Sequence, residues 1–129
     1  MSEGLSLGRT AARRGAARAL SDRRKGFYLL AEAAGRVVGQ LFVTREWSDW
    51  HAAEYWWIQS VYVRPAYRRA GVFAALLSEV RRLARKDGSV RSLRLYVHEK
   101  NRPARAAYAS LGFQATRYRI LETEIGCIE

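Results

Sequence analysis

The sequence predicts a mixed α/β fold with its elements in the order αβββαβαβ. Three observations point there. Two apolar, β-prone runs flank the tight Ala33-Ala34-Gly35 turn, which is a hairpin signal. Val72, Phe73, Leu76, Leu77, Val80, Leu83 and Ala84 recur at helical spacing, with Arg81, Arg82, Arg85 and Lys86 between them. The second half then alternates strand, helix, strand, helix and strand, which calls for crossover helices laid on a sheet.

Taken in order, residues 10–20 read as a short amphipathic helix, with alanines and Leu20 on one side and Arg13, Arg14 and Arg18 on the other. Gly15 weakens it by about 1 kcal/mol relative to alanine. Ser21–Gly26 is a loop. Phe27–Glu32 and Arg36–Arg45 form the hairpin strands, and Glu46–His51 is an aromatic, polar loop. Tyr55–Val63 is a third strand, ended by Arg64-Pro65, because proline cannot donate to a ladder. A helix over 72–86 stops at Asp87-Gly88. Ser92–Val97 is a short strand. Pro103–Leu111 is a helix with proline in its first turn and Gly112 just past its end. Phe113–Glu122 completes the series as a last strand.

The chain has 129 residues, enough for one domain, and Leu, Ile, Val and Phe supply 30 of them, enough for one modest core. The reading is a single domain over 1–129, with a basic helical segment at 1–26 and the core at 27–122. One cysteine, Cys127, excludes a disulfide scaffold and a multi-cysteine zinc site, and no metal role is assigned. No apolar run approaches membrane-spanning length, and the first 25 residues have no signal-peptide core, so a cytoplasmic protein without a membrane partner is expected.

The net charge of +11 is uneven. Residues 1–25 carry +5, residues 26–63 carry −2, residues 64–105 carry +9 and the rest −1, and 20 of the 23 basic residues are arginine. Such a field suits an anionic ligand, and equally an arginine-biased composition that merely keeps the surface soluble.

The most informative segment runs from Val61 to Phe73 (VYVRPAYRRAGVF). A strand enters a turn holding Arg68 and Arg69, and Gly71 stands where a helix opens. Helix-terminal N–H groups and the helix dipole attract anions, the glycine permits close approach, and the arginines add formal charge. These are the parts of a pyrophosphate site, distinct from a P-loop and from the GxGxxG fingerprint, although the motif taken alone fits an ordinary loop with a helix-starting glycine better. A second segment, Asn101 to Phe113 (NRPARAAYASLGF), puts Asn101 at a helix cap and Tyr108 two turns in. Taken alone, these two residues fit a cap and a core position better than a site.

Together the segments V-x-P-x-x-R-R-x-G-V, N-x-x-A-x-x-x-Y and L-G-F strongly resemble the GCN5-related N-acetyltransferase (GNAT) superfamily over about 27–122. The resemblance implies acetyl-coenzyme A as co-substrate. The backbone of Val61, Tyr62 and Val63 would meet its acetyl and pantetheine arm. Arg68, Arg69, Ala70, Gly71, Val72 and Phe73 would hold the pyrophosphate. Asn101 and Ala104 would help position the cofactor, and Tyr108 would protonate the departing thiolate. Phe73 stands where the family pattern has Gly or Ala, so its side chain is expected to turn toward the core. The family's usual first strand and first helix are not found in this reading, and 10–20 takes the place of the second helix.

The implied reaction is direct acetyl transfer to a primary amine in a ternary complex. The amine must lose a proton, and Glu46 and Glu54 are the leading candidate bases, ahead of Asp49 and His51. Gln59 and Ser60 are weaker candidates, as water-holding residues. Trp47, Trp50, Tyr55, Trp56 and Trp57 crowd the presumed acceptor side, and strand alternation sends Trp56 and Trp57 to opposite faces. A homodimer is expected from the Trp-rich segment and the apolar tail Ile125–Ile128. Two other readings stand beside this one: a non-catalytic domain of the same fold that binds acetyl-coenzyme A or a partner, and a basic nucleic-acid-binding domain. The second finds no helix-turn-helix, zinc-finger or RNA-recognition signature, and nucleic acid is not an expected partner.

Overall fold

The computed structural model describes Arg14, Ala17 and residues 20–126. Of the helix expected over 10–20, Arg14, Ala17 and Leu20 are helical and exposed, and its other positions lie outside the described residues. The chain divides into two compact units, Met1–His98 and Glu99–Glu129.

The first unit is a four-stranded sheet covered on one face by a helix. Strand β1 (Phe27–Ala33) and β2 (Arg36–Ser48) form the expected antiparallel hairpin. Its turn takes positive φ at both Ala34 and Gly35, 51° and 74°, the twist that matches a two-residue hairpin loop. Strand β3 (Ala53–Val63) runs antiparallel to β2, and β4 (Val90–Leu95) runs parallel to β3, so the spatial order is β1-β2-β3-β4. Helix α1 (Val72–Asp87) crosses from β3 to β4, as a parallel pair requires. Gly88 ends it at φ 82°, with its N–H on the Ala84 carbonyl.

Glu46, Trp47 and Ser48 extend β2 rather than open a loop. Trp47 opposes Glu54 and Ser48 opposes Ala53, which shortens the turn to residues 49–52. The charged and aromatic side chains that suggested a loop are tolerated because this end of the ladder is solvated on one face.

The core of this unit lies between sheet and helix. Leu41, Val43, Ile58 and Val63 meet Leu76, Leu77 and Val80, all buried. Trp56 is buried on this face and packs edge-on against Phe27 at 5.4 Å. Trp57 points to the opposite face, as alternation requires. Gly39 fixes how closely α1 approaches, since a Cβ there would come 2.7 Å from Val72 Cγ1 and 3.6 Å from Leu76 Cδ1.

The second unit contains helix α2 (Arg102–Ser110). The Asn101 side chain accepts from the Ala104 N–H at 3.2 Å, and Pro103 sits in the first turn. The Tyr108 carbonyl receives the amides of Leu111 and Phe113, and the Tyr108 and Phe113 rings lie 5.9 Å apart. The strand expected over Phe113–Glu122 does not form: no strand occurs within 113–126. A strand needs a ladder partner for its backbone groups and a cover for its apolar side chains; beyond Phe113, the described residues pair no strand with this segment and leave Tyr118, Ile120 and Leu121 exposed.

Gly39→Ala is expected to destabilise the protein by about 1–3 kcal/mol, the range for forcing an extra methyl into a packed site. Urea denaturation measures it; an unchanged midpoint would show that α1 can back away from the sheet freely.

Candidate active site

The geometry of the site begins with a mismatch between two ladders. The β3–β4 pairing runs from Glu54↔Val90 to Ile58↔Leu95 and stops, while β3 continues to Val63. The β2–β3 register jumps at the same place: Phe42 opposes Gln59, but Gln40 opposes Tyr62. Ser60 carries the extra residue at φ 53°. A bulge bends and twists its strand, so β3 turns away from β4 where their pairing ends. Alternate backbone groups of Gln59–Val63 face away from β2. Among the described residues no strand pairs with that side of β3 beyond Ile58, in the stretch where the sequence placed Val61, Tyr62 and Val63.

The turn after β3 is held by arginines. Arg64 ties back to β2 twice, through its N–H to the Val38 carbonyl at 2.8 Å and its Nε to the Val37 carbonyl at 2.8 Å. Pro65–Tyr67 form one 3₁₀ turn. Arg68 Nε donates to the Val63 carbonyl at 2.9 Å, and its guanidinium lies 5.7 Å from the Tyr62 ring centroid. Arg69 and Gly71 both take left-handed conformations, φ 64° and 82°. A Cβ on Gly71 would meet nothing within 4 Å, so open space lies in front of the α1 N-terminus. The first turn of α1 has no acidic residue and no side-chain cap. Its outward amides and dipole, with Arg69 exposed beside them, fit a pyrophosphate. Phe73 is half-buried, consistent with a ring turned partly inward. Beside this turn, a cavity of about 650 Å³ is lined by Arg36, Gln40, Tyr62, Arg64 and Tyr67 among others.

The sheet face opposite α1 carries a linked polar and aromatic cluster. Trp57 Nε1 donates to Glu46 Oε1 at 2.7 Å. Arg94 Nη1 lies 4.0 Å from Glu46 Oε2, and its guanidinium sits 3.6 Å over the Tyr55 ring. The Trp57 ring stacks on Tyr96 at 4.4 Å, across the strands just where they part. Gln59 Nε2 donates to Thr44 Oγ1 at 2.7 Å beside them. Glu46, which opposes Tyr55 on β3, is therefore oriented by an indole N–H and an arginine. Glu54 stands at the other end of β3, where it opposes Val90 and receives the Ser89 hydroxyl at 3.4 Å. Six residues of strand, about 20 Å at 3.3 Å per residue, separate it from Ser60. His51 stacks edge-on toward Tyr55 in that same region, and Asp49 belongs to the turn between β2 and β3.

In the second unit, Asn101 serves as the α2 cap through its Oδ1, and Ala104 and Tyr108 are buried. Sequence reading missed Arg94, Tyr96 and the Trp57–Glu46 bond. Arg94 and Tyr96 join the site only through the parallel register, which no local pattern encodes; Trp57 was legible from alternation alone.

Residues 4–113 match the model of the Acetyltransferase (GNAT) family, and the chain belongs to that family. A crystal structure of a possible acetyltransferase from Clostridium difficile 630 is 37% identical, with a TM-score of 0.89 over 98% of this chain and 83% of that one. An aminoglycoside antibiotic 6'-N-acetyltransferase from Acinetobacter haemolyticus shares the fold at 21% identity, TM-score 0.78, over 93% of this chain and 83% of that one. So does AAC(6')-Iy, solved with the bisubstrate analog CoA-S-monomethyl-acetylneamine, at 19% identity, TM-score 0.75, over 97% and 83% of the two chains. No curated protein matches the sequence significantly. The protein is an acyltransferase whose co-substrate is acetyl-coenzyme A.

Acetyl-coenzyme A at 100 times its dissociation constant should stabilise the fold by about 2.7 kcal/mol. Gly71→Glu is expected to abolish that thermal shift by setting a carboxylate against the phosphates. Gly71→Ala should keep it, at a cost of about 1–2 kcal/mol for a left-handed alanine. An undiminished shift in the glutamate variant would move the pyrophosphate elsewhere.

Proposed function

We propose that the protein transfers the acetyl group of acetyl-coenzyme A directly to a primary amine bound beside it. The observation that carries this reading is the open stretch of β3 next to the uncapped α1 N-terminus, with Glu46 oriented on the adjoining sheet face. Acetyl-coenzyme A supplies an activated thioester. Backbone groups of Val61, Tyr62 and Val63 orient its acyl arm, and a strand N–H there stabilises the carbonyl oxygen as it gains charge. Arg68, Arg69 and the amides from Ala70 to Phe73 hold the pyrophosphate. Glu46, with Glu54 as the other candidate, takes a proton from the acceptor's ammonium, directly or through one water, which frees the lone pair that attacks the thioester carbonyl. Tyr108 gives its phenolic proton to the departing thiolate, and Asn101 and Ala104 shape the start of its helix.

Glu46, Trp57 and Tyr96 make an aromatic wall with one carboxylate, a surface suited to an organic cation. The aminoglycoside-modifying neighbours act on amines of that kind, and their identity with this chain is low enough that they support the fold and not the acceptor. We place the enzyme in the cytoplasm, where acetyl-coenzyme A is available and a lone cysteine stays reduced. We also read it as a homodimer, because Trp47, Trp50 and Ile125 are exposed. The expected result in light scattering at tens of micromolar is twice the chain mass.

Release of coenzyme A thiol is the assay, run over a panel of primary amines. Tyr108→Phe keeps the ring and removes the hydroxyl, and should lower turnover about 10²–10⁴-fold with cofactor binding unchanged. Glu46→Gln should lower turnover as well and remove the limb of the pH–rate profile that reports the base. Full activity in either variant would take that role away from the residue.

A further inference from the structure

The cavity of about 650 Å³ beside the turn after β3 opens where β2 begins and β3 ends. Gly39 opposes Val63 there, and the Arg64 N–H donates to the Val38 carbonyl. Gly39 faces α1, so Gln40 and Tyr62, which oppose one another, stand on the other face of the sheet. Trp57 belongs to that same face, with Tyr96 stacked on it. Gln40 is four positions from Thr44, the partner of Trp57, which is about 13 Å of strand. The unpaired stretch of β3 and the Ser60 bulge therefore lie between the cavity and the aromatic wall.

The charge around this cavity is of one sign. Arg36 and Arg64 enter it from adjoining strands, since Arg64 Nε donates to the carbonyl of Val37, the neighbour of Arg36. That bond leaves Arg64 its Nη groups and its full charge. Arg36 is exposed and has no carboxylate partner among the described residues. Arg68 brings a third guanidinium to within 5.7 Å of the Tyr62 ring centroid. Tyr62, Tyr67 and Gln40 supply neutral donors, and among the described residues no acidic side chain lines the space. Guanidinium groups set in this way bind a carboxylate or a phosphate through paired N–H donors. The volume falls within the ~300–1,000 Å³ of small-molecule sites, so the space takes more than a bare anion.

We propose that this cavity receives an anionic group of the acceptor, so that the substrate class is a primary amine carrying a carboxylate or a phosphate. This rests on the acetyl-transfer reading given above and specifies its acceptor. Tyr62 joins the two parts: its backbone belongs to the stretch that meets the acyl arm, and its ring lines the cavity. The anion lies against Arg36 and Arg64, and the amine reaches the thioester over the unpaired stretch of β3. The wall of Trp57 and Tyr96 stands on the amine's other side and tolerates its positive charge. A zwitterion is thus matched in both signs. An acceptor with a second cation in place of the anion meets guanidinium groups and is rejected.

The test measures kcat/KM of the full chain with acetyl-coenzyme A over matched amines: β-alanine against propylamine, γ-aminobutyrate against butylamine, and phosphoethanolamine against ethanolamine. The anionic member of at least one pair should be preferred ~10–100-fold, the range for a hydrogen bond to a charged group. Arg36→Ala should collapse that preference, Arg36→Lys should keep part of it, and Arg36→Glu should turn it toward putrescine. The thermal shift with acetyl-coenzyme A should persist in all three variants. Loss of that shift in a variant with an unchanged urea midpoint gives the cavity to a phosphate of the cofactor and overturns the inference. Equal turnover within every pair, a preference for the uncharged members, or a preference that none of the three substitutions alters overturns it as well, and leaves acetyl transfer to amines standing. No turnover of any amine, with the cofactor shift intact, removes the acetyl-transfer reading and this inference together.

Discussion

The bulge at Ser60 is the constraint on which the site depends. A parallel pair of strands normally closes its backbone groups against each other and leaves nothing for a ligand. Here one extra residue in β3, held at φ 53°, coincides with the last β3–β4 pair, Ile58↔Leu95. A left-handed conformation is uncommon for a serine, and it persists because both flanking ladders are fixed: Gln59 stays on Phe42 and Tyr62 on Gln40. The sheet thus remains intact on the β2 side while it opens on the β4 side. Side chains that alternate across the opening, Trp57 and Tyr96, stay in contact by stacking, so the strands part in their backbones before they part in their side chains.

The second requirement is that a helix N-terminus lies near that opening. Gly39 meets it from the sheet face beneath α1, because any side chain there would push Val72 and with it the first turn of α1. The turn between strand and helix is short and strongly tied. Arg64 bonds to the carbonyls of Val37 and Val38, and Arg68 to that of Val63, so the backbone from Val63 to Gly71 follows from contacts made within the unit. The glycine at the helix start has no packing reason to be small, since nothing lies within 4 Å of a Cβ there; its left-handed φ and the open space before it are the reasons.

Much of this was legible in the sequence, and the rest was hidden for definable causes. The hairpin, β3, α1 and α2 follow from local periodicity and from the glycines and prolines that bound them, and each lies within a few residues of its expected place. The turn proposed for the pyrophosphate was legible because its chemistry is local: Arg68, Arg69 and Gly71 are close neighbours in the chain. Glu46 was legible as a carboxylate near the site but not as an oriented one, since its partner Trp57 is eleven residues away and Arg94 forty-eight. The extension of β2 through Trp47 depended on its pairing with Glu54, again a long-range fact. The segment 113–122 has strand composition, and composition alone does not supply the neighbour that a strand requires.

The arginines illustrate how a net charge should be read. A value of +11 suggested either an anionic ligand or a merely soluble surface. Several guanidinium groups are in fact committed to short-range structural contacts. Arg64, Arg68 and Arg105 reach backbone carbonyls at the ends of elements, Arg45 reaches the Arg23 carbonyl and lies over Phe27, and Arg94 covers Tyr55. Arginine suits this use because its planar fork donates at an angle a lysine ammonium cannot match, and its flat face stacks on rings. Binding one N–H does not discharge the group. Arg68 keeps its full positive charge and its outer N–H groups while its Nε holds the Val63 carbonyl. The same residues therefore shape the turn and set its potential, and the two explanations offered for the charge are aspects of one arrangement.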